Sequence, residues 1–162
     1  MAAPPLDLDL LRGQSGLAID ADGRFLHRGE PITHQRTLEV LWGSLQAVEG
    51  GRWQVQLGRE RGDVAVDETP WLVRGLRAAG DPPDALTLLL CGGREAPLDP
   101  ATLRAGPDGI LRCRLPDGAP ARFTRAGQTA LGEHLEEDPG APGQVVLVVG
   151  SVRHRLLAPD PG

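Results

Sequence analysis

The stretch RFLHRGEPITHQRTLEVLWGSLQAVEGGRWQVQL (24–57) carries the pattern from which the rest of the chain is read. Arg24–Arg28 reads as an extended run, and Gly29-Glu30-Pro31 interrupts it. Thr33 can cap a helix. Leu38, Leu41, Leu45 and Val48 then recur at helical spacing, and Trp42 broadens that apolar stripe. Gly50-Gly51 supplies a stop. Trp53, Val55 and Leu57 alternate with polar residues, which predicts a strand with one buried face. The order is strand, break, helix, strand.

Working outward toward the N-terminus, Leu17–Asp20 reads as a strand, and DADG (20–23) turns it into Arg24–Arg28 as a hairpin. Residues 1–13 hold two prolines and no sustained pattern, so they are expected to form a mobile arm. Toward the C-terminus, Arg59-Glu60-Arg61-Gly62-Asp63 is read as the connection into a strand marked by Val64 and Val66, and Trp71–Ala78 as a further strand. Gly80-Asp81-Pro82-Pro83-Asp84 is the strongest break, since paired prolines fit neither a helix interior nor a central strand. It sets the expected subdomain boundary: 14–80 and 81–162, with 155–162 as a disordered tail.

The second half repeats the order. Leu86–Cys91 is a short apolar run, 92–109 reads as loop, and Ile110–Leu115 alternates with Arg112 and Arg114 on the outer face. Thr124 caps a helix predicted over 125–137, and Val145–Val149 with Val152–Leu157 forms a hairpin about Gly150-Ser151. Thr33 and Thr124 lie 91 residues apart, and Trp53 and Val145 lie 92 apart. The expected fold class is α+β: two tandem subdomains, each a mostly antiparallel sheet with one helix, as a duplicated β-β-α-β-β unit.

Composition narrows the function. The 162 residues carry a net charge of −5. All 17 basic residues are Arg, so no lysine is present for a Schiff base or a Walker-type phosphate site. The acidic balance and five aromatics argue against nucleic-acid binding. The apolar runs are too short for a membrane span, and MAAPPLDLDLLRG (1–13) lacks the pattern of a signal peptide. Cys91 and Cys113 make no disulfide framework. A cytoplasmic protein is expected.

Catalytic constellations are not found. His27, His34, His134 and His154 are scattered, so no metal site is expected. DADG lacks the later acidic ligands of a calcium loop. Ser15, Ser44 and Ser151 stand in no nucleophile motif. Cys91, before Gly92-Gly93, is the one candidate nucleophile, against the commoner reading of a core cysteine. Asp67-Glu68 are neighbours that point to opposite faces. Arginine is the polar group in supply. Arg122 and Arg125 flank the second helix start, where anions are favoured.

The ordered set Asp22-Gly23-Arg24, Gly29-Glu30-Pro31-Ile32, Trp53-Gln54-Val55, Glu60-Arg61-Gly62-Asp63-Val64, Val66-Asp67-Glu68-Thr69-Pro70-Trp71-Leu72 and Phe123-Thr124-Arg125-Ala126 resembles the bacterial domain of unknown function 1285 family. The resemblance spans about residues 17–157. It implies a duplicated α+β core, a pleckstrin-homology-like second domain, a ligand site between the domains for a nucleotide-like molecule, and a role in signal transduction. Where that family has a Thr-Asn pair, this chain has Cys91-Gly92, and one residue is inserted between Trp53 and Glu60.

The leading functional expectation is therefore a non-enzymatic sensor or regulatory module without cofactor. It would hold a small anionic ligand between its subdomains, with Arg61 and Arg125 as charge partners and Glu60 and Glu68 orienting them. The alternatives are a protein–protein adaptor with an apolar patch including Trp71, and a thiol enzyme at Cys91.

Overall fold

Arg28 and Gly29 make a two-residue reversal. The computed structural model describes residues 16–57, 59–80 and 84–156; the expected arm at 1–13 and the last six residues of the tail lie outside them. β1 (Leu17–Ile19) pairs with β2 (Phe25–His27) through the DADG turn, as read from the sequence. β2 then returns as β3 (Glu30–Pro31), with His27 opposite Glu30. The two residues between them have φ angles of 49° and 86°, the positive pair a two-residue hairpin turn requires. Glu30-Pro31 is thus an edge strand, where proline is tolerated, rather than a simple break.

Helix α1 (Gln35–Ser44) is capped by His34, not Thr33: the Thr37 N–H donates to His34 Nδ1 at 3.3 Å. It ends at Ser44, well short of Gly50. Gln46–Val48 instead forms β4, which pairs with β5 (Arg52–Leu57). Helical periodicity through Leu45 and Val48 yields here to ladder pairing, because tertiary partners outweigh local propensity. Leu41 is fully buried, and the Trp42 ring meets Phe25 edge-on at 4.9 Å between centroids. These contacts seat α1 on the sheet.

The Arg61-Gly62-Asp63 sequence is not a turn. It lies inside β6 (Glu60–Val66), with Gly62 opposite Val55 and Asp63 opposite Gln54. β6 also pairs in parallel with β1, Val64 opposite Leu17. The sheet of the first unit has the order β3-β2-β1-β6-β5-β4.

The chain divides between Pro70 and Trp71, ten residues before the expected boundary at Gly80. The reason is pairing. β7 (Leu72–Ala79) and β8 (Ala85–Leu90) are antiparallel neighbours, with Ala79 opposite Ala85. The two prolines therefore fall between strands of one sheet, not between units.

The region expected as loop at 92–109 contains β9 (Glu95–Pro97) and β10 (Arg104–Ala105). β11 (Leu111–Arg114) and β12 (Pro120–Phe123) follow, and the order is β10-β11-β12-β7-β8-β9. β12 joins β7 in parallel, Phe123 opposite Val73. β9 and β10 are consecutive in sequence yet occupy opposite edges. The segment between them crosses the sheet and sends Leu98 and Leu103 into the core.

Thr124 caps α2 (Arg125–Gly132), as expected: its hydroxyl accepts the Gly127 N–H at 3.1 Å and donates to Val73 O at 3.0 Å. The helix stops at Gly132 rather than 137, because β13 (Leu135–Glu137) pairs with β14 (Val145–Val149). β14 pairs in turn with β15 (Val152–Arg155). Arg155, placed in the tail by sequence, is paired with Val146. Leu88, Leu90, Leu103, Leu131 and Leu147 meet in the core of this unit, each contributing roughly 1.5–3 kcal/mol by burial.

The duplication is visible as a shared order. β1-β2-α1-β4-β5-β6 and β11-β12-α2-β13-β14-β15 are each a hairpin, a helix and a three-strand meander. In the first unit the meander joins the sheet through β6, parallel to β1; in the second it forms a separate three-stranded sheet, and β7 lies parallel to β12.

Candidate functional site

Arg61 is exposed on β6 opposite Gln56, and Glu60 precedes it, half-buried. Consecutive strand residues project to opposite faces, which places Glu60 and Arg61 on opposite faces of β6. Glu68 is exposed in the bend after β6. These three belong to the first unit, whereas Arg125, the exposed first residue of α2, belongs to the second.

Arg122 and Arg125 do not share the helix start. Ala121 and Phe123 are buried in the core that α2 helps to cover, and Arg122 between them faces the other side of the sheet. On that side Arg122 stands directly opposite Arg112, and Arg112 directly opposite Arg104. Three guanidinium-bearing residues thus form one row across β10, β11 and β12, each half-buried. Adjacent strands are about 4.8 Å apart, so the row spans roughly 10 Å.

Arg112 is gripped by Asp108, with two Nη–Oδ contacts of 3.0 Å, and also donates to Ile110 O at 3.1 Å. Those guanidinium hydrogen bonds, with the Ile110 N–H, hold the Asp108 carboxyl far below the usual carboxylate range. Sequence reading placed Arg112 and Arg114 on an outer face but missed the row. A two-residue strand such as β10 leaves no periodic signal.

The other candidates resolve locally. Asp20 accepts from the Asp22 and Arg24 N–H groups and from Arg24 Nε, so DADG is a hairpin turn. Burial pushes the Asp20 carboxyl up, but these hydrogen bonds outweigh it and leave it lowered. Cys91 is 6% exposed and Cys113 2%, and neither is in a disulfide. Burial, with the nearby Asp99 charge, pushes the Cys113 thiol up to about 12. Trp71 is half-buried, with the Arg94 guanidinium 4.6 Å over its ring and Asp117 bound to Arg94 at 3.0 Å. That ring therefore lies under a cation rather than in an open apolar patch. Among the described residues no group of three His, Cys, Asp or Glu could hold a metal ion, and no helix is long and apolar enough to cross a membrane.

Two six-stranded mixed sheets in tandem, each unit with one helix, define an α+β chain built by duplication. The chain has the fold of solved DUF1285 family proteins. One, from Silicibacter pomeroyi DSS-3, is similar over 97% of this chain and 90% of that chain, with a TM-score of 0.65 and 18% identity. Another, from Shewanella baltica OS155, is similar over 68% of this chain and 85% of that chain, with a TM-score of 0.53 and 17% identity. No family model and no curated protein matches the chain. At these identities the likeness is one of fold.

Proposed function

We propose that this chain is a non-enzymatic binding module that takes a small anionic ligand on the arginine row of its second unit, and that occupancy serves a regulatory role in the cytoplasm. The observation that carries the reading is the register Arg104–Arg112–Arg122. The row brings three guanidinium groups onto one face, and the planar guanidinium suits phosphate and carboxylate alike through charge-assisted hydrogen bonds. The row lies in a chain whose net charge is −5, so cations are concentrated there against the average. Two buried thiols outside any disulfide are consistent with a reducing compartment.

Isothermal titration with inorganic phosphate, pyrophosphate and ATP tests the reading. The expected result is binding that weakens as salt rises and falls by at least about tenfold in Arg122→Gln. Absence of heat with all three probes at millimolar concentration overturns it.

A further inference from the structure

A second feature of the same unit lies outside the arginine row. Where the chain crosses from β9 to β10, a cleft of about 290 Å³ opens against the end of β11. Its apolar lining is the buried Leu98 and Leu115 together with Pro97 and Pro116. Its charged groups are Asp99 and Arg114. Asp99 accepts the Ala101 N–H through Oδ1 at 3.0 Å, and Arg114 donates from Nη1 to Gly118 O at 3.0 Å. Neither makes an ion pair among the described residues, so Asp99 Oδ2 and Arg114 Nη2 and Nε remain available.

Both walls belong to one frame. The Thr102 hydroxyl donates to Asp99 O at 2.8 Å and accepts the Arg114 N–H at 3.0 Å. One cation and one anion are thus fixed on the same cleft, unneutralised by each other, with hydrocarbon beside them. Small-molecule sites are commonly built this way, from apolar walls and a few placed polar groups.

We propose that this cleft binds a small aliphatic zwitterion, the class of a free α-amino acid with a branched apolar side chain. The ligand carboxylate meets Arg114, its ammonium meets Asp99, and its side chain lies against Leu98 and Leu115. A ligand with one charge leaves the other wall without its partner, which is the source of selectivity. At about 290 Å³ the cleft lies just under the usual range of ligand sites, which suits a ligand the size of a free amino acid.

The test is titration of the whole chain with L-leucine, followed by amide NMR shifts at Thr102 and Leu115. Isocaproate and isoamylamine serve as the single-charge controls. Leucine is expected to bind with a Kd of about 0.1–1 mM, the range open to a ligand of its size. The two controls should bind at least about tenfold more weakly. Arg114→Gln and Asp99→Asn should each weaken leucine by a similar factor; asparagine keeps the Oδ1 acceptor for Ala101, so the turn survives. Arg122→Gln should leave leucine binding unchanged while weakening anion binding by at least about tenfold, which separates this site from the arginine row. No leucine-dependent shift at about 10 mM, or equal affinity in wild type and both cleft variants, overturns the proposal.

Discussion

Gly127 lies so close to Val73 that a methyl group on its Cα would come within 2.9 Å of the Val73 carbonyl carbon and closer still to its oxygen, well inside van der Waals contact. The same carbonyl accepts the Thr124 N–H at 2.9 Å and the Thr124 hydroxyl at 3.0 Å. The first turn of α2 is thereby bolted to β7 through backbone, and the contact tolerates no side chain.

Gly127→Ala should therefore destabilise the second unit, although alanine is the better helix former by about 1 kcal/mol. Overpacking against backbone costs about 1–3 kcal/mol or more, and the Val73 carbonyl cannot move without losing Thr124. Gly132→Ala is the matched control: it ends the same helix, and an added Cβ there meets nothing within 4 Å. It should be neutral or stabilising by up to about 1 kcal/mol. Urea midpoints of the two variants decide; equal stability would refute the packing argument.

What could be read from the chain alone was what is decided locally. The DADG hairpin, the Gly150-Ser151 hairpin and the Thr124 cap each depend on a few consecutive residues, and each is where the sequence placed it. Elements settled by distant partners were not legible. Leu45–Val48 continues a helical stripe, yet Gln46–Val48 pairs with β5. Gly62 resembles turn chemistry, yet lies mid-strand opposite Val55. Pro82-Pro83 resembles a domain linker, yet the strands on either side pair with each other. The arginine row needs two registers at once, one of them through the two-residue β10, and no spacing in the sequence encodes that. Arg61 and Arg125 stood out as exposed cations, but neither belongs to the row.

Arg28 holds φ at 49°, the left-handed region that costs an ordinary L-residue about 1–2 kcal/mol. It is the first central residue of the β2–β3 turn, where asparagine and glycine are preferred. Arg28→Asn should stabilise by about 1 kcal/mol and raise Tm by roughly 2–4 °C. Glycine at this position should gain less, because it also frees the unfolded chain. Thermal unfolding of both variants checks the order; a lower Tm for Arg28→Asn would mean that the arginine side chain contributes more than its backbone strain removes.

Cys113 supplies a prediction in alkali. Its thiol, ordinarily near 9, is pushed up to about 12 in the fold, first by burial and then by the Asp99 charge. The folded chain therefore holds the proton where the unfolded chain releases it. Stability from this group is complete below pH 9 and is lost as pH rises toward 12. Cys113→Ala should flatten the fall in urea midpoint between pH 8 and 10.5, at some cost in packing near neutrality. In the native wild type the thiol should react with a maleimide only as fast as the unit opens, at a rate that denaturant raises. Rapid labelling of native Cys113 at neutral pH would contradict its burial.

Asp108 competes for the row. Its carboxylate occupies Arg112 with both oxygens, and Arg112 holds it ionised far below the usual range, so it stays charged at any physiological pH. If an anion binds across Arg104, Arg112 and Arg122, that carboxylate is both a rival for Arg112 and a repulsive neighbour. Asp108→Asn keeps an Oδ1 acceptor for the Ile110 N–H, which now bonds at 3.0 Å, while removing the charge. Pyrophosphate affinity should rise by about three- to tenfold, with the greater gain at low salt, where exposed charges are least screened. Titration calorimetry at two ionic strengths reads both effects. Weaker or unchanged binding in this variant, with its fold intact by circular dichroism, would mean that Arg112 is a structural partner of the 106–110 turn and not a ligand contact.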